Sequence, residues 1–474
     1  MIETGKFPNS LKKAIIKPLY KKGSRHDINN YRPIALLPSF SKIFEKVIYH
    51  RLIAFIDRSE ILNANQFGFQ KQKTTTLAIY KLFNSIWDNL NSKRKCVALF
   101  IDMSKAFDCV KYDIILGQLE RIGIRGIALD LLNDYLDNRV QATMIEVYNK
   151  STKVMETVKS DFEHVLIGVP QGSILGPLLF LIYINELPNI IEHLCVMYAD
   201  DATIFITNDN MNDTNFKNSI NMTLKTVTDW LEAINLKVNL VKTKLVQFRN
   251  HQSKPLQLNV SLSGTEIEEV KDTNFLGVTI DQHLNWKAHI ERINKKISSA
   301  CYALSILAET CDENVARNAY FGNVYPLLTY GIIYWGNSTD VQSTFIMQKK
   351  CIKTIYSMHY MESLRKVFTE KKLLTLTGIY ILELCLFIRN NSQYFELKCN
   401  TKKNVRTQYK YNLNVPNIHN TLFYKSAHVT AIRVYNHLPL CIKELNERLF
   451  KSTLKKWLIN NVFYNLREFF DSKF

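Results

Sequence analysis

At 474 residues, 46% of them apolar and 22% charged, the chain is longer than one hydrophobic core usually serves and too apolar to be disordered, so two or three subdomains are expected. Lys and Arg number 61 against 43 Asp and Glu, and the formal charge of +18 points to a polyanionic partner. That charge is uneven: residues 281–474 carry 27 basic and 14 acidic side chains, and no Lys or Arg occurs between Ser160 and Phe216. The nine cysteines are scattered without a CxxC pair or a zinc-spaced Cys/His cluster, which reads as reduced thiols in an intracellular protein without structural zinc. "MIETGKFPNSLKK" has no apolar h-region, and the longest apolar run, "ILGPLLFLIYIN", meets Glu186 too soon to span a bilayer. Neither a secreted nor a membrane protein is expected.

In chain order, residues 1–75 read as basic and loop-rich, with short apolar runs among Lys12, Lys13, Lys17, Lys21, Lys22, Arg25 and Arg32. An amphipathic helix is predicted from Lys42 to about Asp57, apolar at Ile43, Phe44, Val47, Ile48 and Leu52. "KCVALFID" predicts a buried strand ending at Asp102, and "KYDIILGQLERIGI" a returning helix. "RVQATMIEVY" and "VMETVKSDFEHVLIG" predict a hairpin. An apolar helix is expected over 174–187, a hairpin around Asp200 and Asp201, a helix over 213–234, and strands near 244–248 and 275–280. From Trp286 onward helical periodicity dominates. A further break is expected near 400–420, where the composition is that of a loop.

Two carboxylate sites stand out. "CVMYADDATIFI" puts Asp200 and Asp201 inside an apolar run, where carboxylates are costly unless paired or bound to a metal. A tight turn accounts for the geometry and is compatible with presenting the acids. Asp102 likewise ends an apolar strand. If the two strands are neighbours the carboxylates meet, and Mg²⁺ suits one or two carboxylates plus substrate phosphates. The matching chemistry is two-metal phosphoryl transfer. "GVPQGSILGP" offers glycines for close backbone approach, the polar arm of Gln171 and a helix N-terminus. "NLVKTKLVQF" places Lys242 before a strand, where its cation could meet a leaving phosphate or simply solvent.

"FIDMSKAFD", "GVPQGSILGPLLFLIYINELP", "YADD", "NLVKTK" and "NFLGV", in that order, resemble the polymerase motifs of reverse transcriptases, specifically the non-LTR (LINE-like, jockey-like) branch. "NNYRPIALLPSFSKIFEKVI" and "NQFGFQKQKTTTLAI" are similar to that branch's fingers motifs. The resemblance implies an α+β right-hand polymerase: fingers over about 1–95, a palm with an antiparallel sheet over about 96–281, a mainly helical thumb over 282–400 and a helical extension over 401–474. It implies RNA-directed DNA polymerase activity with two Mg²⁺ ions, Mn²⁺ being a substitute. Asp102, Asp200 and Asp201 would be the metal carboxylates and Lys242 would assist the pyrophosphate. Arg32 and, more loosely, Lys17 or Lys21 would hold the triphosphate, beside the backbone at Met103. Phe107 would gate against a 2′-OH, Gln171, Gly172 and Ser173 would border nucleotide and template, and Phe275, Leu276 and Gly277 would grip the primer end.

Partners implied are an RNA template, a DNA primer, their hybrid and dNTPs, with nuclear residence and a cytoplasmic phase. No upstream endonuclease and no zinc knuckle are seen, so the chain reads as a 5′-truncated copy or partial gene. Competing expectations are an intron-maturase or telomerase-like polymerase, and an inactive relic that only binds nucleic acid.

Overall fold

The computed structural model describes residues 1–208, 212–359, 361–398 and 411–472. Part of the loop expected near 400–420, and Cys399, lie outside the described residues. The chain forms two compact units that interleave along the sequence. The first comprises Met1–Ala78, Val97–Leu245 and Leu256–Glu269; the second comprises Ile79–Cys96, Val246–Pro255 and Val270–Phe474.

The loop-rich reading of residues 1–75 is corrected by two strands, β1 (Lys13–Tyr20) and β2 (Tyr31–Leu36), paired antiparallel from Ile15↔Leu36 to Tyr20↔Tyr31. Their apolar alternation is masked by lysines on exposed positions and by Pro18 and Pro33. β1 also pairs in parallel with β4 (Val140–Asn149), which forms a hairpin with β5 (Val154–Lys159). The expected hairpin is thus present, with a short added strand β6 (Glu163–His164) on β4.

α1 (Ser39–Arg58) contains the predicted helix and buries Ile48 and Leu52 of the expected face, with Phe44 partly buried, but its inward face is rotated to take in Ser41 and Glu45. Its buried positions are Ser41, Glu45, Ile48, Leu52 and Ile56, whereas Ile43 and Val47 stay 57% and 41% exposed. The cause is Glu45, whose carboxylate is used inside the unit, as described below. α2 (Thr75–Asn91) follows.

β3 (Cys96–Ile101) is buried along its whole length because it lies inside a five-stranded sheet, with β9 (Lys244–Phe248) on one side and β8 (Asp201–Thr207) on the other. β7 (Leu194–Tyr198) pairs antiparallel with β8 and ends the sheet on that side. α3 (Tyr112–Arg121), α4 (Ile127–Leu136), α5 (Leu175–Tyr183) and α6 (Asp213–Ala233) complete the first unit. α5 is apolar all round and almost wholly buried, as expected of a helix enclosed on every side. α6 buries Phe216, Ile220, Leu224, Val227 and Leu231, a stripe at helical spacing, onto the same core as Val97, Leu99 and Ile101 of β3.

In the second unit the strand expected near 275–280 is a tight hairpin instead, Asp272–Phe275 paired with Val278–Asp281. The turn residues Leu276 and Gly277 both have positive φ, 45° and 84°, which breaks a continuous strand. Beyond Trp286 the described residues are mainly helical, beginning with Lys287–Thr310 and including the buried helix Leu376–Asn390.

His289, in the first turn of the Lys287–Thr310 helix, is 2% exposed and its Nδ1 accepts from the Thr279 amide at 3.2 Å. Burial, with Arg292 and Lys296 nearby, lowers its pKa from 6.5 to about 4. The stability this contributes is full above pH 6.5 and is lost as pH falls through 4, amounting to roughly 3 kcal/mol. Urea unfolding of the second unit's signal should therefore show this acid slope, flattened in His289→Gln; equal slopes would refute it.

Candidate nucleotidyl-transfer site

The β7–β8 turn is two residues long. Tyr198 pairs with Asp201, leaving Ala199 and Asp200 at the tip, with Ala199 at φ 56°. The turn geometry read from the sequence holds, and Asp201 opens β8. Asp102 follows β3, the strand beside β8, so the expectation that the two acid-bearing strands are neighbours is met.

The three carboxylates interact. Burial pushes the Asp200 carboxyl up, and the charge of Asp102 pushes it further, while Arg32 and Lys21 act the other way. Asp201 is pushed up to about 6, by protein crowding its carboxyl and then by Asp200 and Asp102, although the residue is open to solvent. Consecutive residues entering a strand turn their side chains apart. Among the described residues no three His, Cys, Asp or Glu side chains form a cluster able to hold an ion. A single point shared by Asp102, Asp200 and Asp201 is therefore absent. Nevertheless, hard oxygens that repel one another despite the cations of Arg32, Lys21 and Lys242 nearby fit a divalent cation that takes its remaining ligands from phosphates.

The sequence around 237–243 steadies Asp102. Its carbonyl accepts from Asn239 N at 2.8 Å and its amide donates to Thr243 Oγ1 at 3.4 Å, while Ser104 N donates to Lys237 O. Met103, buried at 7%, forms an antiparallel bridge with Val238. Lys242 Nζ lies 3.9 Å from Asp102 Oδ2, its own side chain 63% exposed and that of Asp102 45%, so solvent screens the contact and little holds the cation there.

Phe107 sits in the short turn Ala106–Cys109, half-buried, stacked on Phe180 at 4.4 Å and 27°. Phe69, which the sequence reading assigned no role, meets it edge-on at 6.4 Å. The "GVPQGS" loop is fixed at several points. Gln171 Nε2 donates to Asp108 Oδ1 at 2.9 Å, and its carbonyl accepts from Ala35 N. Gly172 has φ 132°, and a Cβ there would lie 2.5 Å from the Ala35 carbonyl, so glycine is required by close approach to β2. Ser173 Oγ accepts from Gly176 N and donates to Pro170 O. Glu45, fully buried, accepts from Ile174 N at 2.7 Å, Leu175 N at 3.3 Å and Ser41 Oγ at 3.0 Å, so its charge caps the N-terminus of α5.

Arg32, exposed on β2, faces Asp200 electrostatically, as does Lys21. Lys17 is engaged otherwise, 3.1 Å from Glu146 on β4. Phe275, Leu276 and Gly277 belong to the second unit. Phe275 is buried, the Leu276 carbonyl accepts from the Tyr330 hydroxyl and the Gly277 carbonyl from Arg292. Glu45, Gln66 and Phe69 had a weak signal at best: each is an unexceptional residue inside a fingers motif.

Residues 19–280 match the reverse transcriptase (RNA-dependent DNA polymerase) family. The chain is 28% identical over 368 residues to the probable RNA-directed DNA polymerase from transposon BS of Drosophila melanogaster, covering 75% of this chain and 39% of that one. It is 27% identical over 370 residues to the RNA-directed DNA polymerase from mobile element jockey of the same organism, with the same coverage. The chain thus spans about two-fifths of the length of these curated relatives. Among solved structures it is similar to telomerase from Candida tropicalis with a telomeric RNA fragment, at 14% identity and a TM-score of 0.39, covering 94% of this chain and 64% of that one. That likeness is too distant to carry argument. The family match spans the Asp102 strand end, the "GVPQGS" loop and the Asp200 turn alike, and on it the chain belongs to the reverse transcriptases, with LINE-like mobile elements among its relatives and the right-hand α+β class that membership brings.

Proposed function

We propose that the protein is an RNA-directed DNA polymerase of a non-LTR retrotransposon, extending a primer 3′-OH by nucleotidyl transfer on an RNA template. The observation that carries this reading is the electrostatic convergence of Asp102 and Asp200 from neighbouring strand ends within a reverse transcriptase domain. Asp102 and Asp200 would hold Mg²⁺, with Asp201 an adjacent supporting carboxylate. Bound there, the ions supply activation of the primer hydroxyl and neutralisation of the departing pyrophosphate, with Mn²⁺ able to substitute.

The chain's own groups have separable tasks. Arg32 and Lys21 bring positive charge to the Asp200 side, where a triphosphate would lie. Lys242 is free enough to follow a pyrophosphate and give it a proton. Phe107, braced by Phe180, presents a rigid wall against a ribose 2′-OH. Gln171 acts by fixing the loop to Asp108, leaving the backbone at Gly172 to border the nucleotide. Phe275, Leu276 and Gly277 would meet the primer end through the backbone of their turn. The motif order supports fingers to about 95, palm to about 281 and thumb beyond, and chemistry at chromosomal DNA would place the protein in the nucleus.

Purified protein should incorporate dTTP on poly(rA)/oligo(dT) with Mg²⁺, dependent on template. A folded protein that binds hybrid without incorporating dTTP would support the inactive relic instead. Residues 281–474, with 27 basic against 14 acidic side chains, should bind hybrid mainly through phosphates. Affinity should then fall at least about tenfold between low and moderate salt. A flat response in a filter-binding titration would contradict that.

A further inference from the structure

The fingers motif "NQFGF" has no task in the reading above, yet it touches the catalytic turn directly. Phe67 N donates to Met197 O at 2.8 Å and Met197 N to Asn65 O at 2.9 Å, so the loop is joined to the end of β7 by a parallel bridge between Gln66 and Met197. The Gln66 side chain then reaches beyond the strand. Its Oε1 accepts from Ala199 N at 3.1 Å and from Gly68 N at 2.8 Å. Gly68 allows this approach: a Cβ on it would sit 2.4 Å from Ala199 N.

Ala199 is the residue that needs holding. Its φ of 56° is left-handed, which costs a non-glycine residue roughly 1 kcal/mol or more, and it immediately precedes Asp200. Gln66 is fully buried, and its Nε2 has no hydrogen-bond partner among the described residues. A buried amide with an idle donor is a poor choice for packing alone, so the accepting oxygen is what the position uses.

From these contacts we propose that Gln66 is a positioning residue for the reaction, fixing the Asp200 carboxylate by locking the backbone of Ala199. The proposal rests on the reading that Asp200 holds the catalytic cation. Gln66 itself touches neither substrate nor metal; it sets where the cation's ligand stands. A one-ångström displacement of such a group is enough to cost a large factor in rate.

The test compares wild type with Gln66→Met, which keeps the volume and loses the accepting oxygen. Mn²⁺ affinity is read by water-proton relaxation, and Mg²⁺ dependence by primer extension. The expected result is several-fold weaker Mn²⁺ binding, a matching rise in the Mg²⁺ needed for half-maximal rate, about tenfold lower kcat and unchanged KM for primer–template. Adding Ala199→Gly, which takes the left-handed φ without strain, should restore part of the metal affinity. Gly68→Ala, pressing on Ala199 N without altering Gln66, should weaken Mn²⁺ similarly and serves should Gln66→Met fail to fold. Unchanged Mn²⁺ affinity in the folded variants, or a lower rate with unchanged Mg²⁺ dependence, would overturn the proposal by reducing Gln66 to a structural role. Wild type that binds Mn²⁺ but extends no primer would remove the polymerase reading and leave the positioning decided by the Mn²⁺ titration; wild type without Mn²⁺ binding would remove both.

Discussion

Asp200→Ala should lower template-dependent incorporation by about a thousandfold, equivalent to roughly 4 kcal/mol of transition-state stabilisation, while leaving the metal-free protein at least as stable as wild type. The two halves of that expectation have one cause. Burial and the charge of Asp102 raise the Asp200 pKa, so the ionised carboxylate is held at a cost in the folded chain. For such a raised group, the favourable contribution of protonation is present below the unfolded pKa and is lost as pH rises through the folded one. Asp201, with about 6 in the fold against 3.8, puts that window between about pH 4 and 6. Metal-free protein should thus gain stability on mild acidification, and Asp201→Asn should stabilise it at pH 7.5 by of order 1 kcal/mol once solvent screening is allowed for. Primer extension and urea titrations of the same preparations separate the cases. An Asp200→Ala protein that keeps its rate would remove Asp200 from the chemistry; one that is inactive and also markedly less stable would show a structural part.

Glu45→Ala carries the largest expected loss of stability, about 3–5 kcal/mol. The substitution strands the amides of Ile174 and Leu175 and the Ser41 hydroxyl, each worth roughly 1 kcal/mol or more when left buried without a partner. It also removes the negative charge at the start of α5, worth up to about 2 kcal/mol in a buried setting. Because α5 begins where "GVPQGS" ends, the loop beside Asp108 should loosen and kcat should fall with stability. Glu45→Gln keeps one accepting oxygen and should lose about half as much. A urea midpoint for Glu45→Ala within about 1 kcal/mol of wild type would show that solvent reaches these amides after all.

The same residue explains what could be read from the sequence and what could not. Apolar strands ending in Asp are legible because a fully buried β3 must be apolar throughout, and a carboxylate at its end stands against that background. The turn at Asp200 was legible for the same reason. α1 was legible as a helix and at Ile48 and Leu52, but not at Ile43 and Val47, which stay exposed while Ser41 and Glu45 turn inward. Hydrophobicity alone cannot show that a carboxylate will be spent on another helix's N-terminus. Gln66 was hidden likewise, since its partner is a backbone amide over a hundred residues away. β1 and β2 were missed because their exposed lysines and prolines resemble loop composition.

The interleaving of the two units along the chain constrains the order in which the protein can fold during synthesis. The first unit draws its final segment from Leu256–Glu269, and the second needs Ile79–Cys96 to wait for residues made much later. While the ribosome is still translating the second half, the carboxyl end of α2 is already out of the tunnel without its own unit. That apolar stretch, with Leu82, Phe83, Ile86 and Trp87 buried in the finished protein, is a segment for a nascent-chain chaperone to cover until the second half is made.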